Sequence, residues 1–174
     1  MKDLKDCIRS IPDFPKKGII FRDITTLIQD PEGFKMSVDL MEKALEGVDF
    51  DYIVAMEARG FVFGAPLSYN LNKGLVLARK KGKLPHKTIE TTYDLEYGSA
   101  TLEIHEDALK KGDKVVLIDD LLATGGTLKA LADLVESTGA EVAKMLCIIE
   151  LPALNGRERL KGYDIDTFVS FDGE

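Results

Sequence analysis

The sequence is poor in the residues that mark metal-binding and disulfide-rich proteins. It contains two cysteines and two histidines in 174 residues. Cys7 and Cys147 are far apart, and neither belongs to a C-x-x-C motif, which argues against a zinc site and a disulfide framework. His86 and His105 are widely spaced, so structural or solvent-exposed roles are expected for both. We predict no metal centre built from protein ligands alone.

Long hydrophobic runs and an excess of positive charge are also missing. With 45% hydrophobic and 30% charged residues, the composition is that of a globular protein, and no membrane association is expected. Residues 1–6 lack the apolar core of a secretory signal and include acids that transit peptides avoid, so we expect a cytoplasmic protein. The net charge of −7 argues against nucleic-acid binding, which requires a field that neutralises phosphates.

What the sequence does contain is a regular alternation of strand-like and helix-like segments. Apolar runs typical of buried strands cover residues 52–55, 75–78, 115–118 and 142–149. Apolar residues at helical spacing cover residues 31–45 and 126–135. This alternation predicts one α/β domain over residues 1–174, with a mostly parallel central sheet flanked by helices.

One polar stretch, residues 80–98, interrupts the alternation. It contains a proline and two glycines and has little apolar surface to bury. Connections of this length inside a compact domain are usually functional lids or disordered segments. We therefore predict a flexible lid loop over residues 80–98.

The most informative segment, residues 115–127, runs from a buried strand through two acids and a glycine-rich turn into a helix. At the carboxyl end of a parallel strand the chain reaches the crevice where α/β proteins bind ligands, and the N–H groups of the next helix bind anions. Glycines let the backbone approach a phosphate closely, and threonine hydroxyls add donors. The predicted phosphate-binding residues are Ala123, Thr124, Gly125, Gly126 and Thr127.

Two aspartates, Asp119 and Asp120, precede this turn and narrow the choice of ligand. Two carboxylates repel a polyphosphate, whereas a ribose offers vicinal hydroxyls that donate to carboxylate oxygens. A ribose 5-phosphate satisfies both the acids and the turn. The Walker motif and the dinucleotide fingerprint are absent. The alternative is that the glycines only turn the chain and that the aspartates form a solvated loop with a helix cap.

Residues 115–127 resemble the phosphoribosyl pyrophosphate signature of the type I phosphoribosyltransferases. The chain is similar almost end to end to the adenine-specific members of that family. The other matching segments are residues 14–15, 18–24, 57–61, 79–85, 95–98, 150–151 and 156–157. The resemblance implies that adenine and phosphoribosyl pyrophosphate are converted to AMP and diphosphate in purine salvage, by a homodimer.

The resemblance also implies a site for the leaving pyrophosphate on the turn formed by Glu57, Ala58 and Arg59. The guanidinium fork of Arg59 suits bidentate contact with phosphate oxygens, whereas outside the family such an arginine would be an ordinary surface charge. Mg²⁺ is expected with the pyrophosphate, held mainly by substrate oxygens and water.

Four cations occur within residues 79–83 of this acidic chain. The resemblance implies that Arg79, Lys80 and Lys83 help to hold the pyrophosphate, and it leaves open which lysine makes direct contact. A solvated charge run is the alternative.

The resemblance implies that a hood, residues 1–28, covers the base. Phe21 and Leu121 would enclose the purine, Ile20 would read its edge through the backbone, and Arg22 would lie close by. By pattern alone, an ordinary strand with Phe21 in the core is the simpler interpretation. In the lid, Glu96 matches the residue that the family uses as general acid/base, so Glu96 and Arg59 are the implied catalytic residues.

Two other functions remain open from the sequence. A phosphoribosyltransferase for hypoxanthine, guanine or xanthine would share the phosphate turn but read a 6-oxo edge, and the hood segment favours adenine instead. A non-catalytic regulator that senses the same sugar phosphate would require an added nucleic-acid-binding domain or a basic face. The sequence shows neither of these features.

Overall fold

The computed structural model describes residues 2–95 and 97–173. The helices are α1 (Thr25–Gln29), α2 (Pro31–Ala44), α3 (Arg59–Leu71), α4 (Gly126–Glu136) and α5 (Gly156–Arg159). The strands are β1 (Arg9–Pro12), β2 (Ile20–Asp23), β3 (Tyr52–Met56), β4 (Gly74–Lys80), β5 (Thr88–Asp94), β6 (Ser99–His105), β7 (Lys114–Leu122), β8 (Glu141–Glu150) and β9 (Ile165–Ser170). Short 3-10 turns cover Leu4–Cys7 and Pro152–Leu154.

The central sheet has the strand order β5-β6-β4-β3-β7-β8-β9. The strands from β4 to β9 in this order are parallel, and β6 and β5 complete one edge in antiparallel orientation. The prediction of a mostly parallel α/β sheet is therefore confirmed. The predicted strands and long helices all form, with bounds that differ by at most four residues.

Apolar side chains pack on both faces of this sheet. Along β3, Val54 and Met56 belong to one buried cluster together with α4, whereas Ile53 and Ala55 belong to a second cluster with α2 and α3. This division follows from the strand geometry, in which successive side chains point to opposite faces. Strands covered on both faces are expected to be continuous apolar runs, as the sequence has them.

The start of α2 follows the local chemistry of residues 30–33. The Asp30 carboxylate accepts a hydrogen bond from the Gly33 amide at 3.2 Å, and Pro31 occupies the first turn, where no N–H donor is required. The helix ends at Ala44, one residue before the predicted end.

The prediction of a loop throughout residues 80–98 is wrong over β5. Every residue from Thr88 to Asp94 pairs with β6, and Ile89 and Tyr93 pack against the core cluster that includes α4. Threonine, isoleucine and tyrosine favour strands, and here partly buried side chains alternate with exposed ones. The predicted lid is thus largely a hairpin. Glu96 lies outside the described residues.

The hood contains a separate two-stranded antiparallel sheet of β1 and β2. Its base is fixed by an ion pair in which Arg9 Nη2 lies 2.7 Å from the Asp23 carboxylate. The hydrogen bond from Arg9, together with one from the Thr25 amide, lowers the pKa of Asp23 to about 2. Phe21 is only partly buried, so it does not belong to the core. Among the described helices, none is long and apolar enough to cross a bilayer.

Candidate active site

A cavity of about 480 Å³ opens at the carboxyl ends of β3 and β7. These strands are parallel neighbours in the sheet, so the turns that follow them meet at the same edge. Residues 57–59 after β3 and residues 123–127 after β7 both line the cavity. This is the position at which open α/β sheets bind ligands, and the volume is that of a small-molecule site.

Residues 123–127, which we call the phosphate turn after their predicted ligand, line one side of the cavity. Gly125 has a φ of +80°, which L side chains rarely adopt, and a Cβ there would lie 2.6 Å from the Gly156 carbonyl oxygen. Helix α4 begins directly afterwards at Gly126, and the first amides of a helix have no hydrogen-bond acceptor within it. The turn therefore presents backbone donors and a helix N-terminus to an anion.

The two acids before the turn differ in their surroundings. Asp120 is buried, and its carboxylate lies 2.6 Å from Arg59 Nε. Asp119 accepts a hydrogen bond from the Asp120 amide at 2.8 Å. Burial raises the pKa of Asp119 well above its usual range, and the adjacent Asp120 carboxylate raises it further. A further anion beside Asp119 would raise its pKa still more, whereas a sugar hydroxyl can donate a hydrogen bond to its oxygens.

Glu57 joins the turn at residues 57–59 to the end of β4. Its carboxylate accepts from the Lys80 amide at 2.8 Å and from Arg79 Nη2 at 2.9 Å. These hydrogen bonds, the amide first, lower the pKa of Glu57. Lys80 lines the cavity, whereas Arg79 Nη1 donates to the Lys83 carbonyl at 3.4 Å. Of the predicted cations, Arg59 and Lys80 are thus the ones at the cavity wall.

The predicted base-binding residues approach the cavity from two directions. Leu121 lines it directly, on β7. The Phe21 ring lies 5.7 Å from the Arg59 guanidinium and packs edge-on against Phe14 at 5.3 Å. Arg22 turns away, because its guanidinium stacks on Phe171 at 4.2 Å.

In the described part of the chain, the cavity wall includes Leu121 but not Ile20, Phe21 or Arg22. The hood strand β2 therefore reaches the cavity through the contact between Phe21 and Arg59.

Tyr93 is a site residue that the sequence analysis did not identify. It lines the cavity, and its hydroxyl lies 3.3 Å from Thr127 Oγ1 on the phosphate turn. The strand-forming residues of β5 were the signal in the sequence that could have assigned Tyr93 to a strand next to the site.

Residues 150–157 pack against the phosphate turn, a role that was not predicted from the sequence. Arg157 Nε and Nη2 each lie 2.8 Å from an oxygen of Glu150, a bidentate pair that lowers the pKa of the glutamate. A Cβ on Gly156 would collide with the Ala123 carbonyl oxygen. The segment 150–157 thus supports the turn by close backbone packing, and its sequence alone gave no indication of that role.

The cavity offers few protein ligands for a metal ion. Within residues 2–95 and 97–173, no group of three or more histidine, cysteine, aspartate or glutamate side chains is arranged to hold one. Of the carboxylates that line the cavity, Glu57 is paired with Arg79 and Asp120 with Arg59. A divalent cation here would take most of its ligands from a bound substrate and water, which is the usual mode of Mg²⁺.

Comparisons with known proteins find relatives that match nearly the whole chain. The family model for the phosphoribosyl transferase domain matches residues 25–173. An adenine phosphoribosyltransferase of Agathobacter rectalis is 59% identical over 174 residues, all of both chains. The crystal structure of adenine phosphoribosyltransferase from Thermoanaerobacter pseudethanolicus superimposes with a TM-score of 0.93 at 54% identity, covering 97% of this chain and 98% of that one.

A third relative was solved with ligands. The Saccharomyces cerevisiae adenine phosphoribosyltransferase, complexed with adenine and an imino-altritol bisphosphate, has a TM-score of 0.89 at 38% identity. The comparison covers 95% of this chain and 96% of that one.

Proposed function

This chain belongs to the phosphoribosyltransferase family, and on that premise we propose that it converts adenine and phosphoribosyl pyrophosphate to AMP and diphosphate. The observation that carries the proposal is one cavity in which an anion-binding turn, residues 123–127, lies beside two acids suited to sugar hydroxyls. Full-length relatives named adenine phosphoribosyltransferase support the choice of base.

The phosphate turn and its acids hold the phosphoribosyl group. Backbone amides of residues 123–127 bind the 5-phosphate, with the hydroxyls of Thr124 and Thr127 as further donors. Asp119 and Asp120 accept hydrogen bonds from the ribose hydroxyls. In the reaction, a purine ring nitrogen forms a bond to the anomeric carbon while the bond from that carbon to the pyrophosphate oxygen breaks. Positioning and electrostatic stabilisation suffice for this step, and no covalent intermediate is required.

Cations at the opposite wall hold the leaving group. Arg59 and Lys80 line the cavity and are placed to contact the pyrophosphate, and Arg79 and Lys83 flank Lys80 in sequence, with Arg79 Nη1 donating to the Lys83 carbonyl. Glu57 fixes this arrangement through its hydrogen bonds to residues 79–80. Asp119 is the cavity carboxylate that would help to hold a Mg²⁺ ion, which would otherwise be bound by pyrophosphate oxygens and water and would supply positive charge beside the leaving group.

The base binds between the hood and β7. Leu121 offers one apolar surface, and Phe21 offers the other when the hood approaches the cavity. Backbone groups of Ile20 would distinguish adenine from 6-oxopurines, whose edges exchange donor for acceptor. Arg22 would stabilise the hood strand. Glu96, which precedes Tyr97 in the sequence, would act as the general acid/base for the proton on the purine.

One assay tests the function directly. The purified protein is incubated with phosphoribosyl pyrophosphate, Mg²⁺ and, in parallel, adenine, hypoxanthine, guanine or xanthine, and nucleotide and diphosphate are measured. We expect AMP and diphosphate from adenine alone. Turnover of a 6-oxopurine in place of adenine would support the second candidate function. Binding of the sugar phosphate without turnover of any base would support a regulator and contradict the proposal.

Cytoplasmic location and homodimerisation stay predictions. Sedimentation equilibrium at assay concentration tests the second of them, because a dimer has twice the monomer mass of 19.2 kDa.

A further inference from the structure

A cation from α5 reaches the phosphate turn. Arg159 is the last residue of α5, and its Nη1 lies 2.9 Å from the point that a Cβ on Gly126 would occupy. The hydroxyl oxygen of Thr124 lies 3.6 Å from the same point. The guanidinium and the threonine hydroxyl therefore converge beside Gly126, the first residue of α4, whose amide has no intrahelical partner and donates to Thr124 Oγ1 at 3.5 Å.

Helix α5 is held firmly in this position. The backbone of Gly156 packs against Gly125 and Ala123 so closely that neither glycine could carry a Cβ. The next residue, Arg157, is fixed by its bidentate pair with Glu150 and by a hydrogen bond to the Ile165 carbonyl. The placement of Arg159 thus follows from packing beneath the turn, although its side chain is exposed.

The charge of Arg159 is not balanced by a neighbouring acid. Among residues 2–95 and 97–173, no carboxylate forms an ion pair with it, whereas Arg157 pairs with Glu150 and Lys161 with Glu158 at 2.7 Å. The N-terminus of a helix carries a partial positive charge from the helix dipole. In a chain with a net charge of −7, an unbalanced guanidinium beside that N-terminus adds a second positive field. Both fields favour an anion.

We propose that Arg159 binds the 5-phosphate of the substrate, on the side of the phosphate turn nearest to Gly126. The inference rests on the proposed function, since it assigns a further contact to the same phosphate. A guanidinium contributes two N–H donors in a plane, which backbone amides and hydroxyls alone do not provide. Because the side chain is exposed, solvent screens the contact, and its loss should weaken phosphate binding by roughly five- to tenfold.

The test measures ribose 5-phosphate and pyrophosphate binding to the full-length protein by titration calorimetry. Arg159→Gln is compared with Arg159→Lys and with Lys161→Gln, which removes one positive charge from the same segment. We expect Arg159→Gln to weaken ribose 5-phosphate binding by roughly five- to tenfold and to leave pyrophosphate binding unchanged. Arg159→Lys should restore part of the affinity, and Lys161→Gln should match the wild type.

Two further readouts separate phosphate contact from a merely structural role. The Kd of Arg159→Gln for ribose 5-phosphate should depend less steeply on salt than that of the wild type, because one ionic contact is gone. In the assay, KM for phosphoribosyl pyrophosphate should rise while kcat stays close to the wild-type value.

Four results would overturn the inference. The first is that Arg159→Gln and the wild type bind ribose 5-phosphate with equal affinity, and the second is that Arg159→Gln loses as much affinity for pyrophosphate as for ribose 5-phosphate. The third is that a lower thermal midpoint of Arg159→Gln accounts for its loss of affinity, and the fourth is that Lys161→Gln loses as much affinity as Arg159→Gln. A wild-type protein that binds no ribose 5-phosphate would instead contradict the proposed function, and the assignment of Arg159 with it.

Discussion

Individual side chains determine which charge each wall of the cavity presents. Asp120 and Glu57 are each paired with an arginine, so their charges are balanced before any substrate binds. Asp119 has no such partner among the described residues, and burial raises its pKa. Of the two acids that we assign to the ribose, Asp119 is therefore the one whose charge no arginine of the described residues balances before the sugar binds.

Replacing that acid should weaken sugar binding selectively. We expect Asp119→Asn to raise the Kd for ribose 5-phosphate by at least about tenfold, because a hydrogen bond to a carboxylate is worth about 1.5–3 kcal/mol. Calorimetry with ribose 5-phosphate and with inorganic phosphate measures the effect. Asp133→Asn, on the exposed side of α4, is the control. Equal loss for inorganic phosphate, or no loss for the sugar phosphate, would contradict the ribose role.

Asp23 should make stability depend on acid pH. Its pKa is about 2 in the folded protein and 3.8 in an unperturbed chain, so the ion pair with Arg9 stabilises the fold above pH 3.8. That contribution decreases as the pH falls towards 2. We expect Asp23→Asn to lower the free energy of unfolding by about 1–2 kcal/mol at pH 7.

Urea unfolding of the wild type and of Asp23→Asn at pH 7, 5 and 3 measures this dependence. The difference between them should be similar at the two higher pH values and fall by about half at pH 3. Asp6→Asn, an exposed acid in the same segment, should show no comparable effect. A difference that grows as the pH falls would contradict the assigned ion pair.

At the scale of elements, two short segments complete a site whose frame is the parallel sheet. The hairpin of β5 and β6 brings Tyr93 to the phosphate turn, and α5 supports that turn from below. Neither segment follows from hydrophobic periodicity. The residues of β5 are largely polar, and α5 has only four residues.

Four of the five parallel strands and the helices α2 and α4 were predictable because their apolar patterns are strong, whereas α3 and β9 were not predicted. The turn at residues 123–127 was predictable as well, since glycines, threonines and a helix start coincide in sequence there. The pairing of Arg59 with Asp120 was not, because it joins the ends of two strands that are distant in sequence. Contacts of this kind depend on the relative placement of elements, which local patterns do not encode.

The close packing of α5 gives a prediction at this scale. In Gly156→Ala, the new methyl group would overlap the Ala123 carbonyl and lie 2.9 Å from Leu122 Cδ1, so the phosphate turn must shift. We expect a loss of about 1–3 kcal/mol in stability, as for other overpacked positions, and a higher KM for phosphoribosyl pyrophosphate. Urea unfolding and steady-state kinetics measure the two effects.

Gly162→Ala is the matched control. Gly162 has a φ of +94° and open space around it, so alanine there strains the backbone by about 1–2 kcal/mol without touching the turn. Its KM should stay at the wild-type value. A KM that rises equally in both variants would mean that lost stability, and not displacement of the turn, causes the effect.

At the scale of the whole molecule, one sheet separates two apolar clusters and carries the cavity at its edge. Each long central strand contributes side chains to both clusters, so the two faces cannot lose their packing independently. Ligand binding at the end of β3 and β7 should therefore stabilise the entire fold by mass action.

Urea unfolding with and without AMP tests this coupling. The wild type should unfold in one transition that coincides for far-ultraviolet circular dichroism and tyrosine fluorescence. AMP at one hundred times its Kd should raise the free energy of unfolding by about 2.7 kcal/mol. Two separate transitions, with AMP shifting only one of them, would contradict a single cooperative domain.

A crystal structure of the protein with AMP is the most direct test of the account. We predict that the phosphate lies within hydrogen-bonding distance of the amides of residues 123–127, with the ribose hydroxyls at Asp119 and Asp120 and the purine against Leu121. AMP bound elsewhere, with the amides of that turn facing only water, would contradict the central claim.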